Sequence, residues 1–195
     1  INLMSGSTYK WDEDADYIWK GADSQDRVGN SMSGGDVDGD GYEDLLIAAP
    51  FADQGSTVRG SVYLIRGGAS SSSFENPEQE AHAIFYGDNP QDHLGRRSAA
   101  VVEDLDADGN ADIVFAAPDE SILYFFSDPG SLSGKINMSA ASATSWGDGP
   151  SYLGLAMDTG DVDGDGEIGE DEQADFTIAE AGYVLCTGYI SETGE

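Results

Sequence analysis

The chain has 195 residues, with 38 Asp and Glu against 8 Lys and Arg, which gives a formal charge of −30 and a pI near 4.1. Attraction to nucleic acid or to an anionic membrane surface needs clustered basic side chains, so this balance excludes both as partners. Hydrophobic residues at 39% and aromatics at 10% suffice for a packed core, and no apolar run approaches the ~20 residues needed for membrane insertion.

The elements recur in chain order. The N-terminus supplies two strand-like segments, INLMSG (1–6) and ADYIWKG (15–21). VGNSMSGGDVDGDGYEDLLIAAP (28–50) then returns as LGRRSAAVVEDLDADGNADIVFAAP (94–118), and more weakly as LGLAMDTGDVDGDG followed by QADFTIAEA (153–181). Gly29, Gly95 and Gly154 head the three copies, about 60 residues apart, the length of a supersecondary unit. Each copy has a small-residue stretch A (31–35, 98–102, 155–160), an Asp/Gly loop, and an apolar run B (LLIA, IVFA, FTIA). Pro50 and Pro118 close B in the first two copies, and Glu180 stands in their place in the third. A second apolar run C follows (62–67, 122–127, 183–188), then a segment D ending in an aromatic residue and glycine (81–87, 141–147).

Runs of four to seven β-branched and aromatic residues bounded by Gly, Pro, Asp and Ser are strands. No sustained 3.6-residue period is present, so the chain reads as all-β. The order is C-D, A-B-C-D, A-B-C-D, A-B-C, and four-stranded antiparallel units at this spacing are β-propeller blades. The small residues of A suit the innermost strand, where blades converge. A β-sandwich would not require the same four-part order in every copy.

The expected division is therefore 1–21 as the C and D strands of a preceding blade, 22–87 as blade 1, 88–147 as blade 2, and 148–195 as an incomplete blade 3. Three blades do not close a ring, which takes four to eight. Further blades are expected from the same longer chain or from another chain, and the surplus C strand INLMSG favours the former. A signal peptide is not visible, and the expected N-terminus lies upstream.

Close to half of the acids fall in the three A–B loops. The first presents Asp36, Asp38, Asp40, Gly41 and Asp44, and the second Asp104, Asp106, Asp108, Gly109 and Asp112. Carboxylates at positions 1, 3 and 5 of a tight loop converge, the glycine permits the turn, and the next carbonyl (Tyr42, Asn110) adds a ligand. Hard oxygens of this number suit Ca²⁺ better than Mg²⁺ and hold nothing soft for zinc or copper. A solvated Asp-Gly turn is the alternative for one loop, and three loops in one register argue against it. The third loop has Asp161, Asp163, Asp165, Gly166 and Glu167, with Gly169 at position 9. Read alone, 161–172 fits the 12-residue EF-hand loop, yet strands flank it where an EF-hand has helices. Two residues remain candidates to close this site, Glu172 and Asp175, with Glu172 preferred. About three Ca²⁺ ions are expected, which would bring the formal charge from −30 to −24.

The Val-Gly and Leu-Gly starts (28–29, 94–95, 153–154), D-x-D-x-D-G and Ala-Ala-Pro (48–50, 116–118) resemble the FG-GAP repeats of integrin α-subunit β-propellers and their bacterial relatives. The resemblance covers nearly the whole chain and weakens in the third copy. It implies structural Ca²⁺ in the A–B hairpins. It also implies recognition on the opposite face, through the D–A loops (22–28, 88–94, 148–153) and the B–C loop (51–60). From this the chain is expected to be an extracellular or cell-surface module for adhesion or protein interaction. The alternative is a lectin-like or accessory propeller of a secreted polysaccharide-acting enzyme, with the protein or glycan ligand open.

No catalytic constellation is visible. His82 and His93 read as surface or packing residues, and Ser33 and the serine run 70–73 lack a partner motif. The lone Cys186 cannot form an internal disulfide and reads as a buried thiol. Trp19, Phe85, Tyr86 and Trp146 read as packing between blades. Asn137-Met138-Ser139 is a glycosylation sequon, meaningful in a eukaryotic secretory context.

Overall fold

A computed structural model describes residues 18–55, 57–68, 76–97, 99–102, 104, 110–147, 152–154, 156–159, 176–180 and 183–187. INLMSG, the serine run 70–73 and the third acidic loop lie outside these residues.

The first sheet is a meander of β1 (Met32–Gly35), β2 (Asp44–Ala49), β5 (Ser61–Ile65) and β6 (Ala83–Tyr86), each antiparallel to the next. These are segments A, B, C and D of the first copy. The B–C connection folds back as a small hairpin of β3 (Asp53–Gln54) and β4 (Thr57–Val58). One turn of helix, α1 (Pro77–Glu80), leads into β6, with the Asn76 side chain accepting from the Glu78 N–H at its start. The second sheet repeats the order with β7 (Ala99–Val102), β8 (Asp112–Ala117), β9 (Ile122–Phe126) and β11 (Ala143–Trp146). The third comprises β12 (Met157–Thr159), β13 (Phe176–Glu180) and β14 (Tyr183–Thr187), the A, B and C segments of the last copy. The chain is thus built of antiparallel β-propeller blades.

Strand B is apolar on both faces because a blade is covered on both. In β2, Leu46 and Ala48 face the second blade while Ile47 and Ala49 join a cluster that includes Trp19 and Val28. In β8, Ile113, Phe115 and Ala117 face the first blade, whereas Val114 and Ala116 meet Leu153 and Met157 of the third copy. Alternation with period 2 therefore sorts one continuous apolar run between two different interfaces. Phe85, Phe115 and Phe126 form the centre of the first interface, with ring centroids 4.8 to 5.7 Å apart and all three fully buried. Each tilted pair adds about 0.5–1.5 kcal/mol beyond the area it buries.

The motifs acquire a packing reason. Gly95 and Gly154 have φ of 75° and 81°, and a Cβ at either would fall within 2.8 Å of Ala48 or 2.5 Å of Ala116. The glycines of the second and third copies thus nest on the Ala-Ala-Pro strand of the blade before, whereas a Cβ on Gly29 would meet nothing within 4 Å. Inner strands are equally close: the Ser31 and Ser33 hydroxyls accept from the Ala99 and Val101 N–H groups at 3.0 and 3.1 Å.

One strand departs from the expected four. The C–D connection of the second blade contributes β10 (Gly134–Asn137), which pairs in parallel with β6 and makes the first sheet five-stranded. Ile136 packs onto the core between the blades, Met138 is buried, and Lys135 pairs with Glu78 at 3.2 Å. The second blade thereby straps itself to the outer edge of the first.

Candidate metal site

β1 and β2 deliver the first A–B loop as a hairpin connection whose carboxylates organise its own backbone. Asp36 accepts from Asp40 N at 3.2 Å and Gly41 N at 2.8 Å, Asp38 from Asp40 N at 3.2 Å, and Asp40 from Tyr42 N at 2.9 Å. Gly41, at φ 87°, allows the turn. One oxygen from each of Asp36, Asp38 and Asp40 lies within 4.8 Å of the others.

Asp44 does a different job. At the start of β2 and 2% exposed, it accepts from Val37 N at 3.0 Å and Gly67 N at 2.8 Å. It ties the loop to the end of β5. Burial pushes its carboxyl above the usual range, two backbone N–H donors oppose that rise, and Asp38 and Asp40 add to it. Each bonded oxygen keeps a second lone pair, so Asp44 can still contribute to a cation. Tyr42 is exposed, with its ring against Gly68.

The donor set is all oxygen, convergent and nearly uncompensated, which fits a hard divalent cation. The one local counter-charge was invisible to motif reading. Arg66, at the end of β5, lies 3.1 Å from Asp38 through Nε and donates through Nη2 to the Gly130 carbonyl of the second blade. Its signal would have been a lone arginine one residue past strand C, opposite the acidic loop.

The second loop is described in part. Asp104 and Asp112 are buried, Asp112 opens β8 as Asp44 opens β2, and Asn110 is exposed. Asp106 and Asp108 lie outside the described residues. So do Asp161, Asp163, Asp165, Glu167, Glu172 and Asp175.

At the other end of the strands, the D–A and B–C loops form a second cluster. His93 Nδ1 stands 2.6 Å from Asp119, whose carboxylate also accepts from Arg96 at 2.7 and 3.0 Å. The His93 ring meets the Phe51 ring at 4.8 Å, and Arg27 lies 4.5 Å over the Phe51 ring. Read from the sequence as a surface or packing residue, His93 packs between Phe51 of the first blade and Asp119 of the second. Arg27, His93 and Tyr152 occupy the same position of the three copies, two before the glycine, and all have left-handed backbones with φ of 55°, 49° and 55°. His82 sits before β6, where burial and the Arg66 charge hold its imidazole below the usual range. Phe85 is core and Trp19 packs on the first blade, whereas Trp146 is 70% exposed. Cys186 lies on β14.

Among the described residues no helix is long and apolar enough to cross a membrane. A family model for the FG-GAP repeat matches residues 28–65, from the first Val-Gly through β5. Phosphatidylinositol-glycan-specific phospholipase D of Bos taurus is 32% identical over 155 residues, covering 72% of this chain and 18% of that protein. The Homo sapiens protein of the same name is 30% identical over 155 residues, with the same coverage. Integrin alpha-5 of Xenopus laevis is 32% identical over 164 residues, 77% of this chain and 15% of the relative. The chain therefore spans less than a fifth of the length of these relatives. With Gly95 and Gly154 nested on the Ala-Ala-Pro strands before them, the chain belongs to the integrin α-like FG-GAP β-propellers.

Proposed function

We propose that this chain is a calcium-stabilised extracellular β-propeller module that mediates adhesion or protein interaction and is itself non-catalytic. The observation that carries the reading is the convergence of Asp36, Asp38 and Asp40 in the A–B loop, in a register that two further copies repeat. The first site would use these three with the Tyr42 carbonyl and Asp44. The second would use Asp104, Asp106, Asp108, the Asn110 carbonyl and Asp112. The third would use Asp161, Asp163, Asp165, the Glu167 carbonyl and either Glu172 or Asp175. Bound calcium supplies the charge that lets these carboxylates sit together.

Extracellular modules of this kind have Kd near 10⁻⁴–10⁻³ M, so the module would be loaded only where calcium is millimolar. Each site would stabilise the fold by about 2.7 kcal/mol at a hundredfold excess over Kd. The test is a melting curve with and without EDTA. A marked drop on chelation is expected, and an unchanged curve refutes the structural role. Blades beyond those described, from the same longer chain or another chain, would complete the ring, and size-exclusion chromatography with light scattering reports whether they come from association. The protein or glycan ligand would meet the D–A and B–C loops.

The similarity to phosphatidylinositol-glycan-specific phospholipase D favours a second reading, in which the propeller is an accessory to an enzyme in the same polypeptide. Calcium-dependent signals on a glycan array would move weight to it.

A further inference from the structure

The cations of this acidic chain are unevenly placed. Of five arginines, Arg27, Arg59, Arg96 and Arg97 stand at the D–A and B–C end, and only Arg66 at the A–B end. Three of the four are engaged. Arg27 covers Phe51, Arg59 donates to the carbonyls of Gly87 and Asp88, and Arg96 reaches both Asp119 oxygens through Nη1. Arg97 is exposed, and its guanidinium has no partner among the described residues.

Arg97 is also held in place at a cost. Its φ is 75°, a left-handed conformation that costs a non-glycine residue about 1–2 kcal/mol, and its N–H is fixed by Asn30 Oδ1 at 3.1 Å. Tyr152, with φ of 55°, is fixed in the same way by Ser121 Oγ on its N–H at 3.1 Å, and is 47% exposed. Strained residues persist where the surroundings over-determine them, and such places coincide with binding sites. Both residues, with Arg96, Pro118 and Asp119, line an open cleft of about 290 Å³.

The chemistry of the cleft selects its occupant. Asp88, Asp92 and Glu120 stand together at the same end outside the lining of the cleft, while among the lining residues Asp119 offsets Arg96, which leaves the charge of Arg97. That suits a monoanion, whereas a phosphate near −2 would want a second free cation. The planar guanidinium fork matches a carboxylate. Pro118 and Tyr152 supply apolar walls. Both oxygens of Asp119 already accept from Arg96 or face His93, which leaves Arg97 as the group in the cleft whose donors are unused. Repulsion from the acidic loops is weak here, because β2 alone, at six residues, separates the two ends by about 20 Å against a Debye length of about 8 Å.

We infer that this cleft binds the carboxylate side chain of an acidic peptide, with Arg97 as the ion-pairing group and Tyr152 as the aromatic wall. The inference rests on the proposed reading of the chain as an interaction module, which the chelation experiment tests separately.

The experiment is an NMR shift titration of the full chain in saturating calcium. The probes are acetyl-Ala-Glu-Leu-Ala-amide, its Gln counterpart, and a digalacturonate. An exposed ion pair should make the Glu peptide bind about two- to fivefold more tightly than the Gln peptide. Arg97→Gly, which accepts the left-handed backbone, should bring that ratio to one with the melting temperature retained. Arg97→Asn, also at home there, repeats the test should the glycine variant fold poorly. Tyr152→Asn should weaken both peptides alike. Equal binding of the two peptides, a Glu preference that survives loss of Arg97, or tighter binding of the digalacturonate would each overturn the inference. Failure of calcium to raise the melting temperature would sink the proposed function and leave these peptide ratios as they stand.

Discussion

The two ends of the blades are built from the same repeat by opposite means. At the A–B end, carboxylates crowd a loop and accept from its own backbone within five residues, with Arg66 as a single counter-charge. At the D–A and B–C end, the order comes from contacts between residues far apart in the chain: His93 and Arg96 on Asp119 within the second blade, and His93 on Phe51 and Asn30 on Arg97 across blades. The first arrangement is local and stores repulsion, so it needs a cation. The second is long-range and pairs most of its charges within the fold. Their difference teaches that one end is conditional on solution chemistry and the other on the blades staying together.

The largest effect should strike both ends at once. Phe115→Ala removes the ring at the centre of the interface between the blades, and should cost about 3–5 kcal/mol in urea unfolding. Both the calcium titration and the His93–Asp119 contact should weaken with it. If one end survived intact, the two would be independently stable units.

Asp36→Asn with Asp40→Asn should act on the A–B end alone. In calcium the double variant should lose about 2.7 kcal/mol relative to the parent at a hundredfold excess over Kd. In EDTA it should equal or exceed the parent, since two repelling charges are gone. A loss of the same size in both conditions would mean that the carboxylates serve the backbone and not a metal.

Gly95→Ala should act on the opposite end. The new methyl group would fall 2.8 Å from Ala48 Cβ and Val62 Cγ2, on a backbone with φ of 75°. A cost of about 1–3 kcal/mol is expected, equal with and without calcium.

The smallest effect separates the ends by pH. Asp92 is buried behind the D–A loop, accepts from Asn89 N at 2.6 Å, and has its carboxyl raised above 3.8, first by burial and then by Glu120 and Asp88. As pH rises past 3.8 the unfolded chain ionises first and binds fewer protons than the native one, so this group's contribution to stability falls with rising pH. Asp92→Asn keeps an acceptor for Asn89 and should flatten that slope, by less than about 1 kcal/mol between pH 4 and 6. An unchanged slope, measured in saturating calcium, would mean that other carboxylates carry it.

Much of the fold was legible in particular residues. LLIA and IVFA read as strands without alternation, and the structure explains why: Phe115 and Val114 face different blades, and Leu46 faces the second blade while Ile47 joins the cluster with Trp19 and Val28. The glycines heading each copy were legible as markers, though not as the points where one blade nests on another. Asp36, Asp38 and Asp40 were legible as one cluster because spacing 1, 3, 5 in a tight turn leaves the chain little choice. Asp44 was read only as a ligand, and its two backbone donors come from Val37 and from Gly67 across the sheet. His93 was legible as a surface or packing residue, but its partner Asp119, 26 residues away, was not.

The sequence by itself determined the succession of strands, the direction of each hairpin, and the placing of acids at one end. These are properties of short windows, where period, turn residues and like-charge spacing act on neighbours. Tertiary structure alone decided that β10 leaves its own blade to pair in parallel with β6, that Arg66 bridges Asp38 and Gly130, the latter 64 residues beyond it, and that the Arg97 side chain lines a cleft with no partner among the described residues. Such contacts depend on how two blades meet, and no local period encodes the meeting of surfaces that far apart in the chain.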